Sequence, residues 1–176
     1  MSTTIRTPPG RQEFQRAIND RSDRWFAACL AITRRHDLAE DALQDALLSA
    51  WQKREQFQGG ARLDTWIHRI AINAALALLR KQKPAHVLDD PDALEAADPS
   101  PEAIRADAEL ETALKVALHR LTDTERVCFV LKHIEQWRLA EIADELDMNV
   151  GRVKQALFRG VRKLKPGMTL LRSEAS

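Results

Sequence analysis

The chain holds 176 residues, enough for one domain or two small ones, and its 27 basic and 26 acidic side chains leave a formal charge of +1. Cys29 and Cys128 lie far apart in apolar surroundings with no C-x-x-C and no Cys/His cluster, which argues for two buried thiols in a reducing cytoplasm and against a zinc site. No apolar run approaches the roughly 20 residues of a membrane span, and residues 1–10 lack a signal-peptide core, so the expectation is a cytoplasmic protein without membrane, metal or cofactor.

Residues 1–10 are polar, with Pro8-Pro9, and read as a frayed end. From residue 11 to about 35, Phe14, Ile18, Trp25, Cys29 and Ile32 fall on one stripe and predict a long first helix. Asp37 is suited to cap a second, from residue 38 to about 55, whose apolar side holds Leu38, Ala42, Ala46, Leu47, Ala50 and Trp51. Residues 56–61 contain Gly59-Gly60 and read as a loop. A third helix is expected over 63–81, with Trp66, Ile67, Ile70, Ala71, Ala74 and Leu78 inward. Three amphipathic helices on short connections can close one core.

The composition then changes. Pro84, Pro91, Pro99 and Pro101 are four of the seven prolines, and the nine acidic residues Asp89, Asp90, Asp92, Glu95, Asp98, Glu102, Asp107, Glu109 and Glu111 face a single Arg105. That is the signature of a flexible acidic linker. Ser100 and Pro101 suit the start of a helix running to about residue 120. Thr122 or Thr124 starts another, packing through Val127, Phe129, Val130, Leu131 and Ile134. The expected fold is all-α: a three-helix N-terminal domain (11–82), an acidic linker (83–106) and a helix-turn-helix C-terminal domain (107–168).

The most informative stretch is 139–159. Leu139, Ile142, Ala143 and Leu146 repeat at helical spacing, Asp147-Met148-Asn149 breaks the pattern, and Asn149 can cap a new helix. In that helix Val150, Val153, Leu157, Val161 and Leu164 are expected inside, with Arg152, Lys154, Gln155, Phe158, Arg159 and Arg162 outside. An amphipathic helix pair in any bundle reads the same way. Here, however, residues 150–172 hold no acid and seven bases (Arg152, Lys154, Arg159, Arg162, Lys163, Lys165, Arg172), and the turn has the length of a DNA-binding helix pair. A basic outward face is what major-groove reading needs. On the second helix Asp37, Asp41, Gln44 and Asp45 share one side beside Leu48. Taken alone, this is a solvated acidic face with favourable charge near a helix start.

Asp37-Leu38-Ala39-Glu40-Asp41-Ala42-Leu43-Gln44-Asp45 followed by Ala50-Trp51 resembles the core-binding segment of bacterial sigma factors of the extracytoplasmic-function type. Phe57, Gly59-Gly60 and Thr65-Trp66-Ile67-His68-Arg69-Ile70-Ala71-Ile72-Asn73 resemble that family's −10 segment. Leu121-Thr122-Asp123-Thr124-Glu125-Arg126, Ala140-Glu141-Ile142-Ala143 and Val150-Gly151-Arg152-Val153-Lys154 resemble its −35 reader, so the likeness spans about residues 12–165 in order.

The resemblance implies a non-enzymatic specificity subunit of RNA polymerase. Asp37, Asp41, Leu43, Gln44, Asp45 and Leu47 would meet the polymerase, whose β′ coiled coil and β flap are the family's docking points. Phe57, the loop from Gly59 and Gly60 to Leu63, and Asn73 would form a −10 base pocket, with Arg62, Arg69 and Arg80 on phosphates. Asn73 is alternatively a core amide satisfied by backbone. Arg152, Lys154, Gln155, Phe158, Arg159 and Arg162 would face the −35 element. The family often carries an Asp and an aromatic at the positions of Ala77 and Leu78, Thr at that of Arg152 and Arg at that of Ala156, so charge has moved along the recognition helix. The linker is either a solvated tether or, by resemblance, a strand threading the polymerase's basic channel. An anti-sigma partner is also implied.

Two other functions compete. A stand-alone helix-turn-helix regulator would need a sensing N-terminal half, and no ligand pocket or phosphoacceptor setting is evident there. An enzyme would need a nucleophile–base pair, a metal spacing or a phosphate loop, whereas His36, His68, His86, His119 and His133 are scattered.

Overall fold

The computed structural model describes residues 7–82 and 116–174, with side chains as far as Lys165. Every regular element among the described residues is helical, and the chain divides into two compact units, Met1–Pro84 and Ala85–Ser176. The acidic linker and most of the helix expected from Pro101 lie outside the described residues; of that helix, residues 116–118 are seen.

The first unit packs α1 (Arg11–Thr33), α2 (His36–Gln52) and α3 (Leu63–Gln82) pairwise against one another. The predicted stripe of α1 is inside: Phe14, Trp25, Cys29 and Ile32 are buried and Ile18 half-buried. The helix stops at Thr33 because Arg34 turns left-handed (φ 56°), its N–H still reaching the Leu30 carbonyl. Asp37 does not cap α2. The extended residue at the cap is Arg35, and Asp37 lies inside the first turn, paired with it. The last turn of α2 also ends earlier than expected, at Gln52, and gives way to a short 3₁₀ turn (Arg54–Gln56).

The buried stripe of α2 is narrow: Leu38, then Ala39, Ala42, Ala46 and Ala50. Four alanines let α2 lie close to its neighbours, and they leave most of its circumference outside. Trp51 is therefore at the rim, edge-on to Phe14 (ring centroids 5.2 Å apart) and capped by the Arg54 guanidinium at 4.4 Å. On α3 the fully buried positions are Leu63, Ile67, Ala71, Ile72, Ala75, Leu76 and Leu79; Trp66, Ile70, Ala74 and Leu78 flank them half-buried.

In the second unit Thr122 starts α4 (Asp123–Phe129) with a reciprocal cap: the Glu125 N–H donates to Thr122 Oγ1 (3.3 Å) and the Thr122 N–H donates to Glu125 Oε2 (3.1 Å). The helix then widens into a π-turn, Val130–Ile134, where the Glu135 N–H bonds back to the Val130 carbonyl. One extra residue per turn rotates the register outward. Ile134, expected inside, is consequently exposed, and Trp137 enters the core instead after a left-handed Gln136 (φ 60°).

Next come α5 (Leu139–Glu145) and α6 (Val150–Glu174). Val153, Ala156, Gly160 and Leu164 bury α6, with Leu157 and Val161 at the margins. Val150 continues the stripe but stands at the first helical position against the turn, and is 37% exposed rather than inside. Both cysteines are fully buried, and burial pushes the Cys128 thiol up to about 12. Cys128 therefore offers no thiolate at neutral pH, and both side chains are enclosed away from a second thiol.

Ile67 is wholly enclosed at the centre of the first unit. Ile67→Ala is expected to cost about 2–5 kcal/mol through lost burial and a cavity, read as an earlier urea midpoint by tryptophan fluorescence.

Candidate polymerase and promoter surfaces

The outward side of α2 carries Asp37, Asp41, Gln44, Asp45 and Leu48 at spacings of four, three, one and three. Asp37 is engaged: the Arg35 guanidinium donates to its carboxylate and holds it below the usual carboxylate range. Asp41 and Asp45 make no ion pair among the described residues. Leu48 is 58% exposed beside them, and Leu43 and Leu47 are half-buried on the flanks. An exposed leucine one turn beyond two carboxylates offers a desolvating contact and a directional field together, a combination suited to a basic partner with an apolar strip.

The glycine loop and α1 enclose an open cleft of about 920 Å³ lined by Glu13, Ala17, Asp20, Arg21, Gly59, Gly60, Ala61, Arg62, Leu63 and Asp64. Gly59 is left-handed (φ 73°), a conformation glycine adopts without strain. Asp64 ties the cleft together. Its carboxylate accepts from Arg62 Nε (3.1 Å) and from the Thr65 N–H (3.0 Å) and pairs with Arg21 of α1 (3.4 Å). Burial raises its pKa, but the Arg62 hydrogen bond and charge, the Thr65 N–H and Arg21 together outweigh that and hold it below the usual range.

Among the proposed −10 residues, Gly59, Gly60 and Arg62 therefore share this cleft. Phe57 does not line it; it is buried, its ring 5.3 Å from that of Trp66. Arg69, Asn73 and Arg80 lie farther along α3. Asn73 is half-buried, and its Oδ1 is shielded from solvent with no hydrogen-bond partner among the described residues.

The reversal from α5 to α6 is tightly specified. Asp147 is left-handed (φ 52°), the Met148 N–H reaches back to the Ala143 carbonyl at 2.8 Å, and the Asp147 N–H reaches Asp144 at 3.4 Å. Asn149 then caps α6, its Oδ1 accepting from the Arg152 N–H at 2.8 Å. A side chain at Gly151 would come within 3.1 Å of that oxygen, so glycine there leaves the cap its room.

Arg152, Lys154, Gln155, Phe158, Arg159 and Arg162 all face outward. Lys154, Gln155, Phe158 and Arg159 line one shallow depression of about 410 Å³, and Phe158, 65% exposed, has the Arg162 guanidinium 5.8 Å above its ring. An exposed aromatic among cations and an amide can meet a thymine methyl, guanine edges and adenine.

One functional group escaped the reading of the sequence. Glu125 is buried, yet its carboxylate receives Lys163 Nζ at 2.7 Å and faces Arg159 Nε at 3.8 Å on α6. Asp123 and Arg126 form a second buried ion pair at 2.6 Å beside it. Thr-x-x-Glu is the spacing of a reciprocal cap; it carries no signal of the reach across to α6.

Residues 18–85 match the family model for sigma-70 region 2, and residues 111–164 match that for sigma-70 region 4. The chain belongs to the sigma-70 family, in its extracytoplasmic-function group. The extracytoplasmic-function (ECF) sigma factor SigW of Bacillus subtilis is 29% identical over 153 residues, covering 81% of this chain and 82% of that protein. SigM of Mycobacterium tuberculosis is 34% identical over 128 residues, 72% of this chain and 62% of its own length. The fold is also that of the sigma factor RpoE solved in complex with the anti-sigma factor NepR from Bartonella quintana (TM-score 0.58, 23% identity, 90% of this chain and 98% of that one). Among the described residues no helix is long and apolar enough to cross a membrane.

The depressed pKa of Asp64 fixes a sign. Its contribution to stability is full above the unfolded carboxylate pKa and is lost as pH falls through the lower folded value. Asp64→Asn should therefore melt earlier than the parent at pH 6–7, and the gap should close on acidification below about pH 4, as followed by thermal denaturation across pH.

Proposed function

We propose that this ECF sigma factor uses residues 11–82 to bind core RNA polymerase and the −10 element, 107–168 to bind the −35 element, and 83–106 as the acidic tether between them. As a sigma factor it directs promoter-specific initiation and performs no chemistry of its own. The observation that carries the promoter assignment is the outward face of α6, where Lys154, Gln155, Phe158 and Arg159 surround one depression behind a capped four-residue turn. Major-groove recognition requires that arrangement: a helix gripped from behind, with donors and an apolar contact on its free side.

The polymerase-facing surface is assigned to Asp41, Gln44 and Asp45 with Leu43 and Leu47, and the exposed Leu48 extends it. Asp37, already neutralised by Arg35, flanks this surface. A basic β′ coiled coil meets the acidic face, and the β flap meets the second unit. On the −10 side, Gly59, Gly60 and Arg62 border the cleft, while Asn73, half-buried on α3, would meet a base edge only after its shielded amide turns outward. Arg69 and Arg80 hold backbone phosphate, and Phe57 acts from beneath through Trp66. We extend the proposal to a cytoplasmic location and to an anti-sigma factor that covers the polymerase-binding surfaces, as the solved relative with its anti-sigma factor suggests.

Charge reversal of both unpaired carboxylates, Asp41→Lys with Asp45→Lys, should abolish pull-down of core polymerase while circular dichroism stays helical. Retained polymerase binding would remove this assignment. Arg159→Ala should weaken binding to the cognate promoter by about 1–3 kcal/mol and relax specificity at one −35 position, measured with holoenzyme on a panel of −35 variants.

A further inference from the structure

We propose that Glu125 is a positioning residue for promoter reading: from the core of the second unit its carboxylate sets the direction of Arg159. The inference rests on the assignment of α6 to the −35 element. Glu125 is 3% exposed and Arg159 is 47% exposed, so one end of this pair is fixed in packing while the other stands at the surface.

The carboxylate has two roles that can be separated. Towards its own helix, Oε2 accepts the Thr122 N–H and closes the cap of α4. Towards α6, Oε2 accepts Lys163 Nζ at 2.7 Å and Oε1 faces Arg159 Nε at 3.8 Å. Arg159 and Lys163 are four residues apart, on one side of α6, and converge on the same buried anion. The backbones are close here too: Gly160, between the two cations, lies where a Cβ would touch Glu125 Cβ and its carbonyl oxygen at 3.7 Å.

The geometry suits the guanidinium. An arginine whose Nε faces an anion keeps its terminal amino groups available, and these present the planar fork that reads guanine O6 and N7. A free arginine on a helix surface samples many rotamers and loses that freedom on binding; one anchored through Nε has already given up part of it. Glu125 reaches no base itself. It acts by restricting where Arg159 can point, and Lys163 offsets the remaining charge of the carboxylate.

The test uses full-length protein as holoenzyme and competition binding to a promoter panel in which each −35 base pair is changed in turn. Glu125→Gln keeps a capping side chain for Thr122 but loses the charge that holds Arg159. It should lower discrimination at the base pair read by Arg159 by roughly tenfold, the scale of one base contact, and leave binding to unrelated DNA unchanged. Arg159→Ala should lose the same discrimination, and the double variant should be no worse than Arg159→Ala alone. Lys163→Gln, which keeps the Glu125–Arg159 pair, should retain it. Should Glu125→Gln fail to fold, Glu125→Asp, which withdraws the carboxylate by one methylene, is expected to show the same positional loss.

Full discrimination in the folded Glu125 variant alongside its loss in Arg159→Ala would overturn the positioning role and leave the α6 assignment standing. So would an equal loss in Lys163→Gln, which would mark the carboxylate as a general anchor of the helix. Unchanged discrimination in Arg159→Ala would remove the α6 assignment, and the positioning role with it.

Discussion

What each unit can offer a partner depends on how narrowly its exposed helix is held. A helix packed through large side chains gives up nearly half its circumference to the core. In this chain the two helices that carry the proposed contacts are held through small residues. Ala39, Ala42, Ala46 and Ala50 seat α2, and Ala156 and Gly160, between Val153 and Leu164, seat α6. Small residues allow close approach, and close approach leaves a wide outer face for Asp41, Gln44 and Asp45 on one helix and Lys154, Gln155, Phe158 and Arg159 on the other. The large side chains that supply most of the buried area sit elsewhere: Trp25 and Ile32 on α1, Ile67, Ile72 and Leu76 on α3, Leu131 in the π-turn and Ile142 on α5.

Most of this architecture is legible in local chemistry. The α5–α6 turn follows from Asp147 and Asn149, residues that tolerate left-handed backbone and cap helices, and both do so here. The stripe of α1 follows from helical period alone. Elsewhere local signals compete and a tertiary factor decides. Asp37 has the chemistry of a cap, yet Arg35 sits nearer the bend and engages its carboxylate, so the helix begins one residue before it. Ile134 fits the spacing of Val127, Val130 and Leu131, but the π-turn adds a residue to the count and turns it outward. No periodicity argument anticipates a π-turn, because period is the assumption it breaks.

The candidate surfaces divide in the same way. Exposed charge is readable because it is what remains after the apolar stripe is assigned, and all six residues expected on the outer face of α6 are there. Buried charge is not readable. Asp123, Glu125 and Arg126 look like a polar helix start, and no neighbouring residue reveals that α6 passes close enough for Lys163 and Arg159 to reach Glu125. Phe57 is a different case. The resemblance assigns it to a pocket wall, while packing against Trp66 takes it below the surface.

The formal charge of +1 is therefore the least informative property of the molecule. Non-specific DNA affinity grows with the number of phosphates a protein neutralises and falls steeply with salt. Cations gather on the outer face of α6 and outnumber acids 13 to 9 over residues 1–82, whereas residues 89–111 hold nine acids against one base. With a formal charge of +1 overall, the chain gains little from DNA in general. Its grip must come from base contacts made by a few well-held side chains and from a larger partner that supplies phosphate contacts of its own. Specificity improves when the non-specific term is kept small. Acidic residues that hold non-specific affinity down would thus help the basic helix discriminate, and those on α2 form the surface proposed to meet the polymerase.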